Sequence, residues 1–549
     1  MCPAGKNSFP SGTAFSRPFF YLQENAMSSM TREQISVVEN ESMLLAVDAF
    51  AGTGKTTTLV EYSKCRPDKR ILYIAFNKSV ASEACARFPE NVQCRTTHSL
   101  AYTRVGKRYQ DKLGSPKAWE IAQTFQCNTT RAKDALQTLS NWFCSADSMV
   151  AEDHLDVELQ GDPAAAADIV QLAGKVFAAM KDKRSPIKMP HDGYLKIWAL
   201  ELPLLAFDII LLDEAQDTNP VTLDVVMRQD CQKVLVGDRH QGIYGFRRAV
   251  NAMERVQAKS RVALTQSFRF SEQIADIASA LLADFKGEDK TIVGRADMTN
   301  AWSVDRSQPF TIIGRTNAGL FSSAAELVLG NDVKLHFIGG FDSYVFGKVL
   351  DAYFLWADER SRITSPSIGR FNCFGDFQQY GVEAGDLEIA ALVKTVEQYQ
   401  SQVPRIYEAM KASQVSLQEK ADVTLTTAHR AKGLEFDQVH MQDDFIELPP
   451  EKQYDPEEIN LLYVALTRAI HAVRLPDSLT RWLRDRAQRT NSVNATETVD
   501  GTERWYSLQG EMSEREAWVR ENVEAFDRTS ADVIRFLLQK VDILRDALD

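Results

Sequence analysis

The sequence predicts an α/β protein with two sheets of mainly parallel strands, each interrupted once by a helical segment. A glycine-rich loop, "AFAGTGKTTT" (49–58), stands between a short apolar strand and a helix. Short β-branched runs such as "RILYIAF" (70–76) and "FDIILLDE" (207–214) end at polar residues and alternate with helical stretches. A second series of such runs begins near Arg261, and the 549 residues provide enough chain for two sheets.

The composition is typical of a globular protein without a membrane span. Apolar residues make up 44% and charged residues 25% of the chain, and no apolar run approaches the ~18 residues of a membrane helix. The formal charge of −12 argues against a globally basic nucleic-acid-binding protein but leaves a local basic groove open. The eight cysteines are scattered without metal-ligand spacing, which favours reduced thiols and an intracellular protein, in the cytoplasm or nucleoid if the source is bacterial.

The glycine-rich loop predicts a site for a nucleotide phosphate and Mg²⁺. Residues 51–54 carry small side chains, so their backbone N–H groups can surround phosphate oxygens in front of the positive end of the following helix. Lys55 would reach the β and γ phosphates, and Thr56 would offer its hydroxyl to Mg²⁺. Ala49 stands where the general pattern has its first glycine. The loop alone does not distinguish a kinase, a GTPase, a pump or a motor.

Two carboxylates follow a predicted strand in "LLDEAQD" (211–217). At the end of a buried strand, Asp213 can hold Mg²⁺ through water, and Glu214 can orient or deprotonate the attacking water. Gln216 and Asp217 could then sense the γ-phosphate. A surface acidic turn is the alternative, but it does not explain why an apolar run leads directly into the charges.

Three further segments place arginine beside aromatic or apolar residues. "VGDRHQGIYGFRRA" (236–249) combines Gln241 with two aromatics and the arginines that follow them, which suits base stacking and phosphate contact, although a packed loop is an equal alternative. Arg269 in "QSFRF" and Arg468 in "LLYVALTRA" lie in apolar settings, where a desolvated guanidinium needs an anion. That anion is a phosphate across a cleft or, in a structural ion pair, a carboxylate.

The order of these motifs resembles that of the superfamily 1 DNA helicases of the UvrD type, and among them the helicase core of the F-box DNA helicases. Along residues 31–475 the order is Gln34, "AFAGTGKT", "AFNKSVASEA", "TTHSLAY", "LLDEAQD", "VGDRHQGIYGFRRA", "LTQSFRF", "GRTN", "TTAHRAKGLEFDQV" and "LLYVALTRA". "MPHDGYLKIW" (189–198) is similar to a segment of the F-box subgroup. The resemblance implies two RecA-like P-loop NTPase domains with ATP between them, mainly helical inserts and a helical C-terminal tail.

The implied domains follow the motif order. They are a flexible leader (1–30), RecA-like domain 1A (31–100 and 196–260), helical insert 1B (101–195), RecA-like domain 2A (261–340 and 420–475), a reduced insert 2B (341–419), and a linker with a helical tail (476–549). Insert 2B is short for the larger UvrD members, which puts processive unwinding in doubt. The leader is too short for an F-box and lacks the apolar core of a signal peptide, so neither is expected.

The resemblance also implies a role for each motif residue. At the ATP site, Gln34 would contact the adenine, Phe268 would stack on it and Glu435 would contact the ribose. The phosphates would be bound by Gly52, Thr53, Gly54, Lys55, Thr56 and Thr57. Thr56 and Asp213 would hold the Mg²⁺ ion. The catalytic residues would be Lys55, Asp213, Glu214, Gln241, Arg269 and Arg468. The single-strand path would be lined by Phe76, Asn77, Thr97, His98, Tyr244, Phe246, Arg247 and His429.

The sequence therefore predicts an ATP-dependent DNA helicase or translocase that moves 3′ to 5′ on single-stranded DNA and at duplex junctions, in repair or recombination control. A translocase that strips proteins from DNA with little unwinding, and a scaffold with an inactive ATPase that acts through its tail, are the alternatives. In the tail, an apolar stripe is predicted to dock on the core or on a protein partner; it comprises Ile534, Leu537, Val541, Leu544 and Leu548. RNA as a substrate stays open.

Overall fold

The computed structural model describes residues 30–156, 162–245, 249–330, 333–384, 386–449 and 454–496. The chain divides after Leu479 into two units, and every strand described belongs to the first. The predicted α/β class is confirmed, because the two larger sheets consist of parallel strands and alternate with helices. None of the helices described is long and apolar enough to cross a bilayer. The predicted apolar stripe of the tail, 534–548, lies outside the described residues.

The first sheet has six strands in the order β3-β2-β4-β5-β1-β6, all paired in parallel. The strands are β1 Leu44–Ala49, β2 Ile71–Ile74, β3 Val92–Arg95, β4 Ile209–Leu212, β5 Gln232–Gly237 and β6 Ser260–Leu264. Strands β4, β5 and β1 are neighbours, so the segments that follow their carboxyl ends lie side by side. These segments are the glycine-rich loop, "DEAQD" and "DRHQG", and the sheet therefore brings the predicted phosphate and carboxylate motifs together.

The boundary predicted between the two sheets at Arg261 is wrong. Strand β6 pairs with β1 in the first sheet, with Val47 opposite Val262, although its sequence was assigned to the second series. A run of alternating apolar residues shows that a strand forms but does not show which neighbour it will join. After β6, strands β7 Gln266–Ser271 and β8 Val293–Arg295 form a separate two-stranded sheet.

The second large sheet has five strands in the order β10-β11-β9-β12-β13, again in parallel. They are β9 Phe310–Gly314, β10 Leu335–Phe337, β11 Val423–Thr427, β12 Phe436–Met441 and β13 Ala469–Arg474. We call the first sheet with its flanking helices the first lobe, and the second sheet with its flanking helices the second lobe. Both belong to the same compact unit.

The helices divide among the lobes, the two inserts and the segment that leads into the tail. Up to β6 they are α1 Arg32–Val38, α2 Lys55–Lys64, α3 Lys78–Arg87, α4 Thr97–Arg104, α5 Ala118–Phe125, α6 Thr129–Cys144, α7 Pro163–Lys181, α8 His191–Leu200, α9 Pro220–Met227 and α10 Ala252–Arg255. After β7 they are α11 Glu272–Lys286, α12 Asn317–Gly330, α13 Gly347–Trp356, α14 Pro366–Gly369, α15 Phe374–Ala384, α16 Leu387–Tyr399, α17 Val403–Ala412, α18 Ala428–Ala431, α19 Glu457–Leu466 and α20 Asp477–Thr496. The helical character predicted for both inserts is confirmed.

Local sequence signals account for where several of these helices begin. Asp162 caps α7 as predicted, since its carboxylate accepts the backbone N–H groups of Ala164 and Ala165 and Pro163 occupies the first turn. The first insert packs around a core that includes Val221 and Val225 of α9 but no strand residue, and in it Trp142 and Phe177 meet edge to face at 4.9 Å. The second insert instead shares one core with the second sheet, so its helices extend that lobe.

Candidate nucleotide cleft and nucleic-acid face

The glycine-rich loop is held open by two glycines in the left-handed region. Gly52 and Gly54 have φ of +75° and +76°, which residues with a Cβ rarely adopt. A Cβ on Gly52 would lie 2.5 Å from the Ser267 hydroxyl oxygen, so the close approach of the backbone also needs glycine. Helix α2 begins directly after the loop without a side-chain cap, and its first N–H groups are therefore suited to bind an anion.

Lys55 lies among carboxylates. Its ammonium is 3.3 Å from a carboxylate oxygen of Glu214. Burial alone would lower the pKa of Lys55, but the charges of Glu214, Asp238 and Asp213 outweigh it and raise the pKa. Lys55 is therefore protonated at neutral pH and can form a phosphate contact in place of the contact to Glu214.

The two carboxylates after β4 have opposite environments. Burial and the nearby charge of Glu214 raise the pKa of Asp213. Burial also acts to raise the pKa of Glu214, but Lys55 and Lys432 reverse that effect and lower it. Glu214 has φ of +50°, a strained backbone conformation for a residue with a side chain, at the position predicted for the water-orienting base.

The oxygen donors present fit a magnesium ion. The carboxylate of Asp213 accepts the Tyr73 hydroxyl at 2.6 Å and the Glu214 backbone N–H at 2.9 Å, which leaves further lone pairs on both oxygens. The Thr56 hydroxyl lies at the start of α2, on the wall of the same cleft as Glu214. Carboxylate and hydroxyl oxygens are the ligand types that Mg²⁺ prefers, and Thr56 and Asp213 would hold it.

The opposite wall comes from the second lobe. Arg468 follows α19, is 1% exposed, and donates to the side-chain oxygen of Gln241 at 3.3 Å and to the Leu434 carbonyl at 3.1 Å. Among the described residues no carboxylate lies within ion-pairing distance of Arg468. Burial and the nearby Arg269 lower the pKa of Arg468 to about 9, so the group is still protonated at neutral pH. A buried cation without a carboxylate is suited to an anionic ligand.

Arg269 differs from Arg468, because it has a carboxylate partner. Its guanidinium donates to Glu435 at 3.0 Å and to the Thr467 carbonyl at 3.1 Å. Glu435 is the residue predicted at the ribose, so in this structure the two predicted ligands of ATP contact each other. The alternative of a structural ion pair therefore describes Arg269 here, and its role at the γ-phosphate stays a prediction.

The predicted ATP residues line one cavity of about 810 Å³ between the lobes. The lining includes Gly52, Thr53, Gly54, Lys55, Thr56, Thr57, Glu214, Gln241, Phe268, Arg269, Glu435 and Arg468, together with Glu83, Arg87 and Arg295, to which the sequence had assigned no role. Two predicted residues lie elsewhere. Gln34 contacts the loop through its amide, which donates to the Thr53 carbonyl at 3.3 Å, and Asp213 lines a smaller cavity of about 100 Å³.

A buried network joins the lobes beneath this cavity. The Tyr463 hydroxyl on α19 accepts the Ala51 backbone N–H at 3.0 Å and donates to Asp238 at 3.0 Å. Gln241 donates to the same Asp238 oxygen at 2.7 Å. Lys432, which follows α18, donates to the carboxylate of Asp217 and to the Gln241 carbonyl. Sequence reasoning assigned no role to Lys432, although it stands within the quoted "TTAHRAKGLEFDQV".

The residues predicted for the single-strand path meet at one face next to the smaller cavity. The rings of Phe76 and Tyr244 stack 5.5 Å apart at 8°, and the Tyr244 hydroxyl donates to the His429 carbonyl at 3.2 Å. Phe76 is 42% exposed, and it lines the smaller cavity with Thr97 and His98. His98 lies 2.9 Å from Asp192 of the first insert, a contact that the sequence had not indicated.

Two further predictions for this face have different outcomes. The side chain of Asn77 caps α3 by accepting the Val80 backbone N–H at 2.9 Å, so it has a structural role whether or not it contacts DNA. Phe246 and Arg247 lie outside the described residues. The face nevertheless draws on both lobes, since His429 follows β11 in the second and the other residues belong to the first.

A segment in each part of the chain matches a known protein family. Residues 199–259 match the UvrD/REP helicase N-terminal domain, and residues 388–475 match the UvrD-like helicase C-terminal domain. The chain therefore contains one segment similar to each of the two domains of UvrD-like helicases. The predicted resemblance is thereby confirmed, and the two sheets correspond to the two-domain architecture of UvrD-like helicases.

Similar proteins include two F-box helicases. F-box DNA helicase 1 of Gallus gallus is 34% identical over 511 residues, which cover 84% of this chain and 50% of that protein. F-box DNA helicase protein 1 of Schizosaccharomyces pombe is 30% identical over 511 residues, covering 82% of this chain and 58% of that protein. ATP-dependent DNA helicase PcrA of Leuconostoc citreum is 25% identical over 298 residues, which cover 47% of this chain and 40% of that protein. The UvrD-like chain thus spans about half the length of the F-box relatives it matches.

Proposed function

We propose that this UvrD-like chain is an ATP-dependent DNA helicase or translocase that moves 3′ to 5′ on single-stranded DNA inside the cell, in repair or recombination control. The observation that carries the ATPase assignment is a single cavity lined by Lys55 and Glu214 from the first lobe and Arg468 from the second. The names of the similar proteins support DNA as the substrate. The polarity rests on the resemblance to UvrD-type helicases.

The geometry suggests how hydrolysis would proceed. ATP with Mg²⁺ would supply a γ-phosphoryl group for attack by water. The phosphate would replace Glu214 as the partner of Lys55. Glu214 would then be free of that ion pair and would orient the water. Arg468 would meet the charge that develops on the transferred group, because among the described residues its guanidinium has no carboxylate partner that the phosphate would have to displace.

Coupling to DNA would use contacts that connect the two sites. Lys432 lies over the Tyr244 ring, 5.3 Å from its centroid, and it also contacts Asp217 and the Gln241 carbonyl. Tyr244 in turn stacks on Phe76 at the predicted single-strand face. A base that displaces or joins this stack would therefore act on a lysine that contacts the nucleotide cleft. Such coupling is what a motor requires, since hydrolysis must change the separation of the two lobes.

Two assays test the proposal. ATP hydrolysis is measured with single-stranded DNA, with single-stranded RNA or with neither, and strand separation is measured on fluorescent duplexes that carry a 3′ or a 5′ tail. We expect DNA to accelerate hydrolysis and the 3′-tailed duplex to open. DNA-stimulated hydrolysis without strand separation would favour the translocase that strips proteins. Absence of turnover under all conditions would favour a scaffold that acts through its C-terminal tail.

A further inference from the structure

Tyr73 places a hydroxyl group against the carboxylate predicted to bind magnesium. It lies on β2, opposite Leu211 of β4, and its side chain reaches Asp213, the residue that follows the end of β4. The hydroxyl donates to Asp213 Oδ2 at 2.6 Å, a short distance typical of a hydrogen bond to a charged oxygen. Both side chains are buried, Tyr73 completely and Asp213 to 5% exposure, so water does not replace this contact.

The hydrogen bonds fix both oxygens of the carboxylate. Asp213 Oδ1 accepts the Glu214 backbone N–H at 2.9 Å, while Oδ2 accepts the Tyr73 hydroxyl. Neither donor is charged, so neither hydrogen bond neutralises the carboxylate. Since rotation of the carboxylate would break one of the two bonds, its remaining lone pairs keep a constant direction.

We propose that Tyr73 is a positioning residue that orients the carboxylate of Asp213 for Mg²⁺. This inference rests on the proposed ATPase function. The hydrogen-bond partners of metal ligands keep those ligands in place, and their loss typically costs about 10- to 100-fold in metal affinity. The ring of Tyr73 has a separate role, because it packs against Phe88 with 4.7 Å between centroids. Replacement by phenylalanine separates the two roles, since it removes only the hydroxyl.

The chain offers a matched control in Tyr62. It is completely buried in the same core as Tyr73, but its hydroxyl has no hydrogen-bond partner among the residues that the structure describes. Tyr62→Phe and Tyr73→Phe therefore remove the same atom from the same core, and only the second removes a contact to Asp213.

The experiment measures the affinity of a fluorescent ADP analogue for the full chain across a Mg²⁺ titration and in EDTA. For Tyr73→Phe we expect the Mg²⁺ concentration at half-maximal enhancement of binding to rise about tenfold or more, with unchanged affinity in EDTA. Tyr62→Phe should match the wild type in both conditions. A Tyr73→Phe variant with the wild-type Mg²⁺ titration would overturn the proposal.

Thermal melting in EDTA covers the possibility that Tyr73→Phe loses stability. If the melting temperature falls because the Asp213 carboxylate has lost its hydrogen-bond donor, the additional change Asp213→Asn should restore it. A buried neutral amide tolerates the loss of the Tyr73 hydroxyl better than a buried carboxylate does. A loss that Asp213→Asn does not restore would show that the hydroxyl stabilises the core, and would overturn the proposal. Wild-type Mg²⁺-dependent nucleotide binding without DNA unwinding would refute the proposed helicase activity and leave the inference about Tyr73 intact.

Discussion

At the scale of single residues, replacing Lys55 and replacing Glu214 are expected to affect ATP binding and hydrolysis differently. Lys55→Ala removes a predicted phosphate contact and should abolish turnover. Glu214→Gln removes the water-orienting charge but keeps a side chain of the same size, so it should bind ATP and hydrolyse it very slowly. Steady-state hydrolysis and binding of a nucleotide analogue measure both effects. Near wild-type hydrolysis by Glu214→Gln would contradict its assignment as the base.

Arg468 should affect the rate far more than the binding of ATP. An arginine that meets charge in the transition state contributes roughly 10³- to 10⁵-fold in related phosphoryl transfers, so Arg468→Ala should lower kcat steeply with a small change in KM. Arg474→Ala is the control, because Arg474 pairs with Asp443 and Asp477 and does not line the cleft. Melting curves accompany the kinetics, and a folded Arg468→Ala variant with wild-type kcat would show that the residue is structural.

Phe76 should contribute to DNA binding through its exposed ring. Stacking on a base is worth roughly 1 to 3 kcal/mol, so Phe76→Ala should weaken single-strand binding by about tenfold or more. Trp302→Ala is the control, because Trp302 is 44% exposed, close to the 42% of Phe76, and lies outside the predicted path. A DNA titration and a thermal melt distinguish the outcomes. A large fall in melting temperature with unchanged affinity of the folded fraction would identify Phe76 as a core residue.

At the scale of secondary-structure elements, the lysine after α18 connects the lobes. Lys432 and Asp217 are 8% and 1% exposed in their side chains, so Lys432→Met alone would leave a buried carboxylate unpaired at a cost of about 3 to 5 kcal/mol. The double variant Lys432→Met/Asp217→Asn removes both charges and should fold. We expect it to lose a much larger share of the DNA-stimulated hydrolysis than of the basal hydrolysis, measured as kcat with and without single-stranded DNA. Full acceleration would exclude Lys432 from the coupling.

The sequence predicted elements better than it predicted contacts between them. Asp162 and Pro163 specify the start of α7 locally, and the loop and carboxylate motifs lie at strand ends where parallel sheets place chemistry. Tyr73 and Asp213 are separated by 140 residues, and Lys432 and Asp217 by 215, so no local pattern relates them. The same reason explains the wrong assignment of β6, whose partner β1 lies far away in the chain.

At the scale of the whole molecule, the cleft residues lie before the division at Leu479. Truncation near Arg489 should therefore leave the DNA-stimulated ATPase intact, because every residue proposed for chemistry is retained. The measurement compares kcat and the DNA concentration at half-maximal stimulation in the full and truncated chains, with melting curves as the control for folding. Loss of activity in a well-folded truncation would show that the tail belongs to the motor.

The ion pair between Lys55 and Glu214 defines the state of the cleft before a nucleotide binds. With those two charges 3.3 Å apart, the predicted base is paired with the same lysine that is predicted to bind the phosphate. Arrival of the nucleotide is then an ion exchange, in which one anion leaves the ammonium as another takes its place. Under the proposed function, Glu214 would orient water only after this exchange, so the chain would not activate water while its cleft holds no nucleotide.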